Sequence, residues 1–500
     1  MIPLFGSRKV LCDGLSRRDL LHVGGLGLFG VGLGDAFHLR EVQAESAERL
    51  PQFGKAKACI LLFLFGSPGQ HETFDPKVDA PAEIQGELKA IPTRVPSLKI
   101  GEGFPRIADV MDRVTTVRSL THPYPIHGLA YALSGVPTTE IPLEVTPRDR
   151  RHWPFIGSVV DYLGEQRTGT APPEIPRNIA MPWLFYSKSE YPPISGPYAG
   201  FLGTQYDPVW TEFEGAGTRF VPNCITGTES SPKFFDPYGG IEPDAKLELA
   251  GPAGRLNDGV SRGRVDRRRS LLAQFDASRR WLDRDVAVDS YSQHQQMAYS
   301  LLASNRVRQA LDVAREPARV RERFGMTLFG QATLAARRLV EAGSQFVTVF
   351  WDAYGHFGNG WDTHVWQYPR LRQYLMPGLD QTYSALILDL ESRGLLDETL
   401  VLCISEHGRT PQINNRPGGG REHWSRAYSG LLAGGGIASG KVVGRTDAHG
   451  GEVADTPVSP KDVLATSFHL LGIDPQTVVY DRQNRPYHVA GEGEVRSEFL

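Results

Sequence analysis

The chain has 500 residues, of which 40% are hydrophobic and 22% charged. This composition is typical of globular proteins, and the length allows one large domain or two. The formal net charge of -3 gives no electrostatic reason to expect a nucleic-acid partner. The 54 glycines and 36 prolines indicate many loops, which carry most binding and catalytic residues. Cys59 and Cys403 lie inside apolar runs and are expected to be buried and unpaired.

The N-terminus has the parts of an export signal. Arg17 and Arg18 precede a glycine-rich apolar stretch at residues 23–33, and a small-residue cleavage site ends at Ala44. Paired arginines specify the twin-arginine translocase, and the apolar stretch is too short to span a bilayer. We therefore expect residues 1–44 to be a twin-arginine signal peptide. The mature protein would be periplasmic or extracellular, with no transmembrane anchor. A G-x-G-x-x-G match at residues 25–30 is discounted, because no strand precedes it.

Along the mature chain, continuous apolar runs predict strands at residues 57–65, 114–120, 345–351 and 399–405. Such runs are typical of strands covered on both faces, as in a parallel sheet. Between the last two, Leu379, Tyr383, Leu386 and Leu390 lie on one face of a predicted helix. Strand, helix and strand then form a crossover unit. Residues 136–344 are predicted as an inserted region of loops followed by helices, in which the arginine cluster at 264–269 is a solvated helix face. Glycines 434–436 predict a tight turn before a short strand.

Polar residues cluster where three of the predicted strands end, which is the edge that binds ligands in open α/β sheets. The groups are Gln70, His71, Glu72 and Asp75 after the first strand, Asp352, His356, Asp362 and His364 after the third, and Glu406, His407 and Arg409 after the fourth, with Arg421 and His423 shortly beyond. Imidazole and carboxylate ligands suit Zn, Mn or Fe, with Ca as a further candidate, and paired metal sites activate oxygen nucleophiles. Two divalent ions would offset the charge of a phosphate or sulfate ester. Arg409 and Arg421 would hold the ester oxygens in a forked geometry.

Several blocks of the sequence resemble a single family. They include GSPGQHETFDPK at 66–77, WDTH at 361–364, SEHGRTP at 405–411, GREHW at 420–424 and PVSPKDVLATSFHLLGID at 457–474. Together with the leader, these blocks resemble the domain-of-unknown-function family fifteen-oh-one, an exported group related to sulfatases and alkaline phosphatases. The resemblance covers nearly the whole mature chain. It implies an alkaline-phosphatase-like α/β/α sandwich around a mostly parallel sheet within residues 45–500.

The resemblance also implies metal ligands, because the wider superfamily binds two metals through carboxylate and histidine residues that follow its strands. Glu406 and His407 resemble the Asp-His pair after a late strand, with glutamate in place of aspartate, and His423 resembles a distant histidine. Asp75 is the nearest match to the carboxylate after the first strand, and His71 is a candidate ligand beside it.

One pair in this ligand set has two candidates. Asp362 and His364 resemble the WDTH block of the family, whereas Asp352 and His356 fit the D-x-x-G-H spacing of phosphodiesterase relatives at least as well. We prefer the first pair and leave the choice open. If the site forms, His407 and His423 should lie within about 5 Å of each other or of a common ion, and Asp362, His364 and Asp75 should line the same cleft.

The nucleophile is the weakest part of the pattern. The C/S-x-P-x-R block of sulfatases does not occur, and phosphatase relatives place Ser or Thr before a helix that runs into Thr-Gly. The parallel stretch here leads from Thr121 to Ser134-Gly135, so Thr121 and Ser119 are candidates, although neither has the expected offset. A metal-bound water would need neither. The sequence thus predicts a metal-dependent hydrolase of phosphate or sulfate esters, with polysaccharide-linked esters among the candidate substrates. The alternative is a non-catalytic, metal-stabilised binding or scaffold protein of the cell envelope.

Overall fold

The structure is a computed structural model. It describes residues 50–124, 127, 129–136, 145–169, 173–221, 234–250, 297, 305–355 and 360–500. The chain divides into two compact units, residues 1–53 and residues 54–500. Of the first unit, residues 50–53 are described, and residues 51–53 form a turn. The predicted signal peptide therefore lies outside the described residues.

The second unit is built on a nine-stranded sheet. Its strands are β1 Ala58–Leu64, β4 Val114–Leu120, β5 Asn178–Met181, β6 Val209–Glu214, β9 Lys246–Leu249, β10 Phe346–Trp351, β11 Thr399–Ile404, β14 Tyr428–Ala433 and β15 Val442–Val443. Their order across the sheet is β15-β4-β14-β11-β1-β10-β5-β6-β9. The central run β11-β1-β10-β5-β6 is parallel, and β4, β14 and β9 supply the antiparallel pairings. The prediction of a mostly parallel sheet is confirmed.

Short two-stranded ribbons surround this sheet. They pair β2 Ala90–Pro92 with β3 Lys99–Gly101, β7 Gly217–Val221 with β8 Phe234–Ile241, β12 Gly408–Arg409 with β13 His423–Trp424, β16 Arg445–Thr446 with β17 Val453–Asp455, and β18 Val478–Tyr480 with β19 Pro486–His488.

Helices cover both faces of the sheet. They are α1 Ala82–Gln85, α2 Pro105–Ala108, α3 Leu129–Ser134, α4 Ile156–Thr168, α5 Asn305–Leu311, α6 Ala318–Phe324, α7 Leu328–Glu341, α8 Gln367–Arg370, α9 Met376–Ser392 and α10 Pro460–Leu470, with a π-helical turn at Leu371–Leu375 between α8 and α9. The start of α10 shows the local chemistry well: Ser459 and Asp462 form a reciprocal capping box, and Pro460 fits the first helical position.

The strand β1 explains why the sheet is buried on both sides. Its side chains alternate between faces, and all seven residues are buried. Ile60, Leu62 and Leu64 join one apolar core, with α7 and α9. Cys59, Leu61 and Phe63 join the opposite core, with α3, α4 and α10. The result is the α/β/α sandwich that the sequence predicted.

Several other predicted elements are also present among the described residues. The strands at β4, β10 and β11 lie where the apolar runs placed them, and β10 and β11 flank β1 in parallel. Cys59 and Cys403 are buried and free. Gly434, Gly435 and Gly436 have φ of 63°, 55° and 99°, as the predicted turn before β15 requires. Residues 136–344 supply β5, β6 and β9 to the sheet as well as helices α4 to α7. The arginine cluster at 264–269 lies outside the described residues.

Candidate metal centre

The candidate centre lies at the carboxyl ends of the neighbouring strands β11, β1 and β10. The chain leaving β11 carries His407 and then β12, which pairs with β13 so that Arg409 lies opposite His423. This short ribbon folds His423 back toward His407. Gly66, at the end of β1, has φ of 98°, and a Cβ there would lie 2.3 Å from the Asp362 nitrogen. Glycine therefore lets the loop carrying Asp362 approach the end of β1.

Four imidazoles converge at this edge. The ring centroid of His423 lies 4.6 Å from that of His407, 4.7 Å from that of His364 and 4.2 Å from that of His127. The distance between the His407 and His423 rings therefore lies within the roughly 5 Å predicted from the sequence. Two groups have ligand atoms all within 4.8 Å of one another: His127, His407 and His423 form one, and Asp362, His364 and His423 form the other.

The second group has the dimensions of one face of a metal coordination shell. The three separations are 2.9 Å between His364 Nε2 and Asp362 Oδ1, 3.0 Å between His364 Nε2 and His423 Nε2, and 3.3 Å between His423 Nε2 and Asp362 Oδ1. Metal-ligand bonds of about 2.0–2.1 Å, at octahedral or tetrahedral angles, hold adjacent ligand atoms about 2.9–3.4 Å apart. We name these three residues the metal face.

Three of the imidazoles are oriented through their Nδ1 atoms. His407 Nδ1 lies 2.8 Å from the Gly408 carbonyl, His364 Nδ1 lies 2.5 Å from Glu422 Oε2, and His127 Nδ1 lies 2.8 Å from Glu406 Oε1. A carbonyl only accepts, so Nδ1 of His407 carries the proton and its Nε2 presents a lone pair. That Nε2 is buried without a hydrogen-bond partner among the described residues. An oxygen partner on the second ring nitrogen is the usual arrangement of metal-bound histidine.

The charges of the centre depend strongly on burial. Burial, with the nearby positive charges of His127 and Arg409, holds the pKa of His407 well below its usual range, and burial lowers the pKa of His423 to about 4. Burial opposes a charge on His127 too, but the carboxylates of Asp362 and Glu406 raise its pKa to about 9. The two carboxylates that contact His127 therefore favour its charged form.

Arg409 is fully buried and directs its guanidinium inward. It donates to Asp362 Oδ1, to the carbonyls of Gly66 and Trp361, to that of Ser67 at 3.1 Å and to that of Arg421 at 3.1 Å. Against the burial that opposes ionisation, the guanidinium keeps the pKa of Asp362 well below its usual range. Arg409 thus lies beside the metal face, but its N–H groups donate to partners within the protein.

Arg421 is likewise engaged within the protein. Its guanidinium meets Glu72 at 2.6 Å, with both side chains 0% exposed. Further donors reach the carbonyls of Ile84 at 2.7 Å and of Thr410 at 3.1 Å. Tyr368 donates to the same Glu72 carboxylate at 3.2 Å. The expectation was that Arg421 binds ester oxygens, and the structure instead shows it closing an internal ion pair.

Three predicted ligands lie outside both groups. Asp75 pairs with Lys77 at 3.0 Å and accepts from the Thr446 hydroxyl. His71 donates through Nε2 to the His449 carbonyl at 2.7 Å. Glu406 Oε1 accepts from the Gly66 N–H and from His127, and its Oε2 is buried without a hydrogen-bond partner among the described residues.

The alternative carboxylate, Asp352, is used structurally. It accepts from Trp183 Nε1 at 2.9 Å and from the backbone N–H groups of Tyr186 at 2.8 Å and Ala353 at 2.7 Å. Burial raises its pKa to about 7 although these bonds favour the charged form. His356 lies outside the described residues. Asp362 and His364 are the pair that reaches His423.

The predicted hydroxyl nucleophiles lie on and after β4. Ser119 is buried, and a Cβ at Gly444 would lie 1.9 Å from its hydroxyl oxygen. Thr121 follows the strand, and its N–H donates to Val458. His127, a member of one of the two groups, precedes α3, where the resemblance implies a serine or threonine. Its imidazole was not predicted as a ligand.

A family profile described as "Protein of unknown function (DUF1501)" matches residues 56–500. The chain belongs to this family. No curated protein matches it. The family assignment that the sequence blocks predicted is confirmed.

Similar solved structures include three enzymes. The PsFucS1 sulfatase from Pseudoalteromonas sp. is 11% identical over 88% of this chain and 70% of its own, with a TM-score of 0.35. The lipoteichoic acid synthase LtaP from Listeria monocytogenes is 9% identical over 85% and 74%, with a TM-score of 0.35. The phosphonate monoester hydrolase SpPMH from Silicibacter pomeroyi is 13% identical over 89% and 78%, with a TM-score of 0.35. The likeness is distant.

Two further features lie outside this centre. A cavity of about 440 Å³ borders β9 and α5, and its lining, residues 243–249, 308 and 311–314, contains no histidine or cysteine. Within the described part of the chain, no helix combines the length and apolar character needed to cross a membrane.

Proposed function

We propose that this protein is an exported, metal-dependent hydrolase of phosphate or sulfate esters. The observation that carries the proposal is the metal face of Asp362, His364 and His423, with separations of 2.9, 3.0 and 3.3 Å. His127 and His407 border it and share His423 with it. These residues fit a transition metal such as Zn, Mn or Fe, because they offer several imidazoles and one carboxylate.

A divalent ion at such a site polarises an ester oxygen and lowers the pKa of water. The chain's own residues set up that chemistry. Glu422 and Gly408 hold His364 and His407 with their Nε2 atoms directed inward. Arg409 fixes the Asp362 carboxylate. His127, His364 and His423 are half-buried, so the centre has an open side. An ester reaching it would meet these imidazoles first.

The test combines metal content with hydrolysis. Purified mature protein should retain a transition metal by mass spectrometry and should cleave at least one aryl phosphate, phosphodiester or sulfate ester. His364→Ala should lose both properties, because it removes one corner of the metal face. His152→Ala is the matched control, since this buried imidazole lies outside both groups and bonds to the Thr146 carbonyl. Wild-type protein that binds no metal would reject the proposal.

A scaffold function is the second candidate. The engagement of Arg409 and Arg421 within the protein favours it, because the guanidiniums expected to bind the ester already have partners. A scaffold would bind metal, lose thermal stability in His364→Ala and hydrolyse none of the esters. Metal-loaded wild-type protein without turnover on the whole panel would therefore select the scaffold.

Export is tested separately from chemistry. Arg17 and Arg18 should direct the precursor to the twin-arginine translocase, and their replacement by lysine should leave unprocessed precursor in the cytoplasm. Fractionation and immunoblotting of both forms decide this point. Normal processing of the double variant would rule out the twin-arginine route and leave the hydrolase proposal untouched.

A further inference from the structure

We infer that Asn414 is a positioning residue of the metal face, which acts on His364 through the Glu422 carboxylate. The inference rests on the proposed function, because it concerns the metal of that same site. It places a further layer behind the ligand: Asn414 holds Glu422, and Glu422 holds the imidazole of His364. Hydrogen bonds behind the ligands commonly tune metal sites. The affinity for the metal should therefore depend on an amide that is not itself a ligand.

The first step concerns the orientation of His364. Its Nδ1 lies 2.5 Å from Glu422 Oε2. An ionised carboxylate only accepts, so Nδ1 carries the proton and Nε2 offers a lone pair. That Nε2 lies 2.9 Å from Asp362 Oδ1 and 3.0 Å from His423 Nε2. The contact with Glu422 thus determines which nitrogen of His364 faces the metal.

The second step is that Glu422 is a weak support when taken alone. Its side chain is 44% exposed, so water competes for its oxygens, and holding a glutamate in one rotamer costs conformational entropy. The cation beside it is Arg416, which lies 3.5 Å away and is 55% exposed. Surface ion pairs of this kind contribute little free energy. A better-fixed partner is needed to keep the carboxylate on His364.

The third step is that Asn414 meets this requirement. Its Nδ2 donates to Glu422 Oε1 at 3.1 Å and to the His364 carbonyl at 2.9 Å. One amide thus joins the carboxylate to the backbone of the residue that the carboxylate supports. The amide is itself fixed, because its Oδ1 accepts from the Arg416 N–H at 3.1 Å and the Asn414 N–H donates to the Gly420 carbonyl at 2.9 Å. These contacts suit only one orientation of the amide.

An isosteric substitution tests the inference on the full mature chain. Asn414→Asp replaces the donor by an oxygen that faces two acceptors, so the Glu422 carboxylate should be displaced. The zinc affinity, measured by competition with a chromogenic chelator at neutral pH, should fall at least about tenfold. Asn415→Asp is the matched control, because it adds the same charge to the next residue, which is exposed. A negative charge alone would attract the cation, so a general electrostatic effect would have the opposite sign.

A double-variant cycle tests whether Asn414 acts through Glu422. Asn414→Ala removes the amide and should weaken zinc binding about twofold to tenfold, the usual effect of one hydrogen bond. Glu422→Ala removes the carboxylate and should weaken it about tenfold to hundredfold. In the Glu422→Ala background, Asn414→Ala should have a smaller effect than in the wild type, because the carboxylate that it holds is gone. Equal effects in both backgrounds would overturn the inference.

A spectroscopic measurement separates positioning from a structural role. The visible absorption of the cobalt(II)-loaded protein reports the geometry of the ligands. Its bands should shift in Asn414→Asp and stay unchanged in Asn415→Asp. If Asn414 only stabilised its own loop, urea unfolding of the metal-free variant would show a loss of stability while the cobalt spectrum stayed that of the wild type. That result would overturn the inference.

Failure of the hydrolase proposal would look different. Wild-type protein that binds zinc but cleaves none of the esters would reject the hydrolase, and a loss of zinc affinity in Asn414→Asp would still support the role of Asn414. Conversely, active wild-type protein whose zinc affinity is the same in Asn414→Asp and Asn415→Asp would overturn this inference alone.

Discussion

The buried ion pair between Glu72 and Arg421 makes the sharpest prediction, because it separates a structural arginine from a substrate-binding one. The pair has three N–O contacts, of 2.6, 2.9 and 3.0 Å, and both side chains are 0% exposed. Arg421→Met keeps an unbranched apolar stem but leaves Glu72 as an uncompensated buried charge. Breaking such a pair costs about 3–5 kcal/mol of unfolding free energy.

The effect should be visible in both equilibrium and thermal unfolding. A domain of about 450 residues has an unfolding entropy of roughly 1 kcal/mol/K near 60 °C, so a 4 kcal/mol loss lowers Tm by about 4 °C. Urea unfolding at pH 7 would measure the free-energy change directly. The double variant Glu72→Gln with Arg421→Met should regain most of the lost stability, since no charge then remains unpaired.

A substrate-binding arginine would give the opposite pattern. The unfolding free energy of unliganded Arg421→Met would then change by less than about 1 kcal/mol, and KM would rise at least about tenfold. That result would refute the structural role. It would also support the sequence-based prediction that Arg421 binds the oxygens of the ester.

Three further predictions follow from single positions. Gly66→Ala should weaken metal binding at least about tenfold by metal titration, because its Cβ would lie 2.3 Å from the Asp362 nitrogen; unchanged affinity would contradict the close approach. Burial raises the pKa of Asp236 to about 7 although a Tyr238 N–H bond lowers it, so its protonated form is favoured on folding. The contribution of Asp236 to the free energy of unfolding should fall by up to about 4 kcal/mol as the pH rises from about 4 to 7. Asp236→Asn should remove this pH dependence in urea unfolding. An unaltered pH dependence in the variant would contradict the prediction. Leu386→Ala should cost about 2–5 kcal/mol, since Leu386 is fully buried, and a loss below 1 kcal/mol would show that the core collapses around the site.

The strands β1, β4, β10 and β11 could be predicted because their evidence is local. A strand covered on both faces needs apolar side chains at every position, and β1 meets that requirement without exception. The buried face of α9 could also be predicted, because apolar residues recur at helical spacing. These residues are Leu379, Tyr383, Leu386 and Leu390, and all four are buried. These patterns are set within a few residues of chain, so tertiary contacts need not be known.

Part of the centre was predictable for a related reason. The carboxyl ends of neighbouring parallel strands meet at one edge, so residues that follow them in sequence meet in space. This principle brought His407, His364 and Asp362 together. His423 lies nineteen residues beyond β11, and it returns through the β12-β13 pairing, which places it opposite Arg409.

The arginines could not be assigned in the same way. Whether a guanidinium faces a ligand or a carboxylate depends on partners that are remote in sequence. Glu72 lies 349 positions from Arg421, and Asp362 lies 47 positions from Arg409. The role of Asp75 was unpredictable for the same reason, because the Thr446 hydroxyl that donates to one of its oxygens lies 371 positions away in the sequence. A position near a strand end predicts which residues lie close together. The hydrogen-bond partner of each polar atom, however, depends on the tertiary structure.

Glu406 and His127 are best understood together. The resemblance implied an aspartate ligand at the position of Glu406 and a hydroxyl residue before the helix that His127 precedes. Glutamate is longer by one methylene, and its Oε1 accepts from the Gly66 N–H and from His127 Nδ1, both at 2.8 Å. An imidazole before α3 provides the partner for that carboxylate and presents Nε2 toward Asp362 at 3.6 Å. A carboxylate that supports a histidine from behind is a common second layer of metal sites. The two departures from the implied pattern are therefore physically coupled, because each residue supplies the hydrogen-bond partner that the other needs.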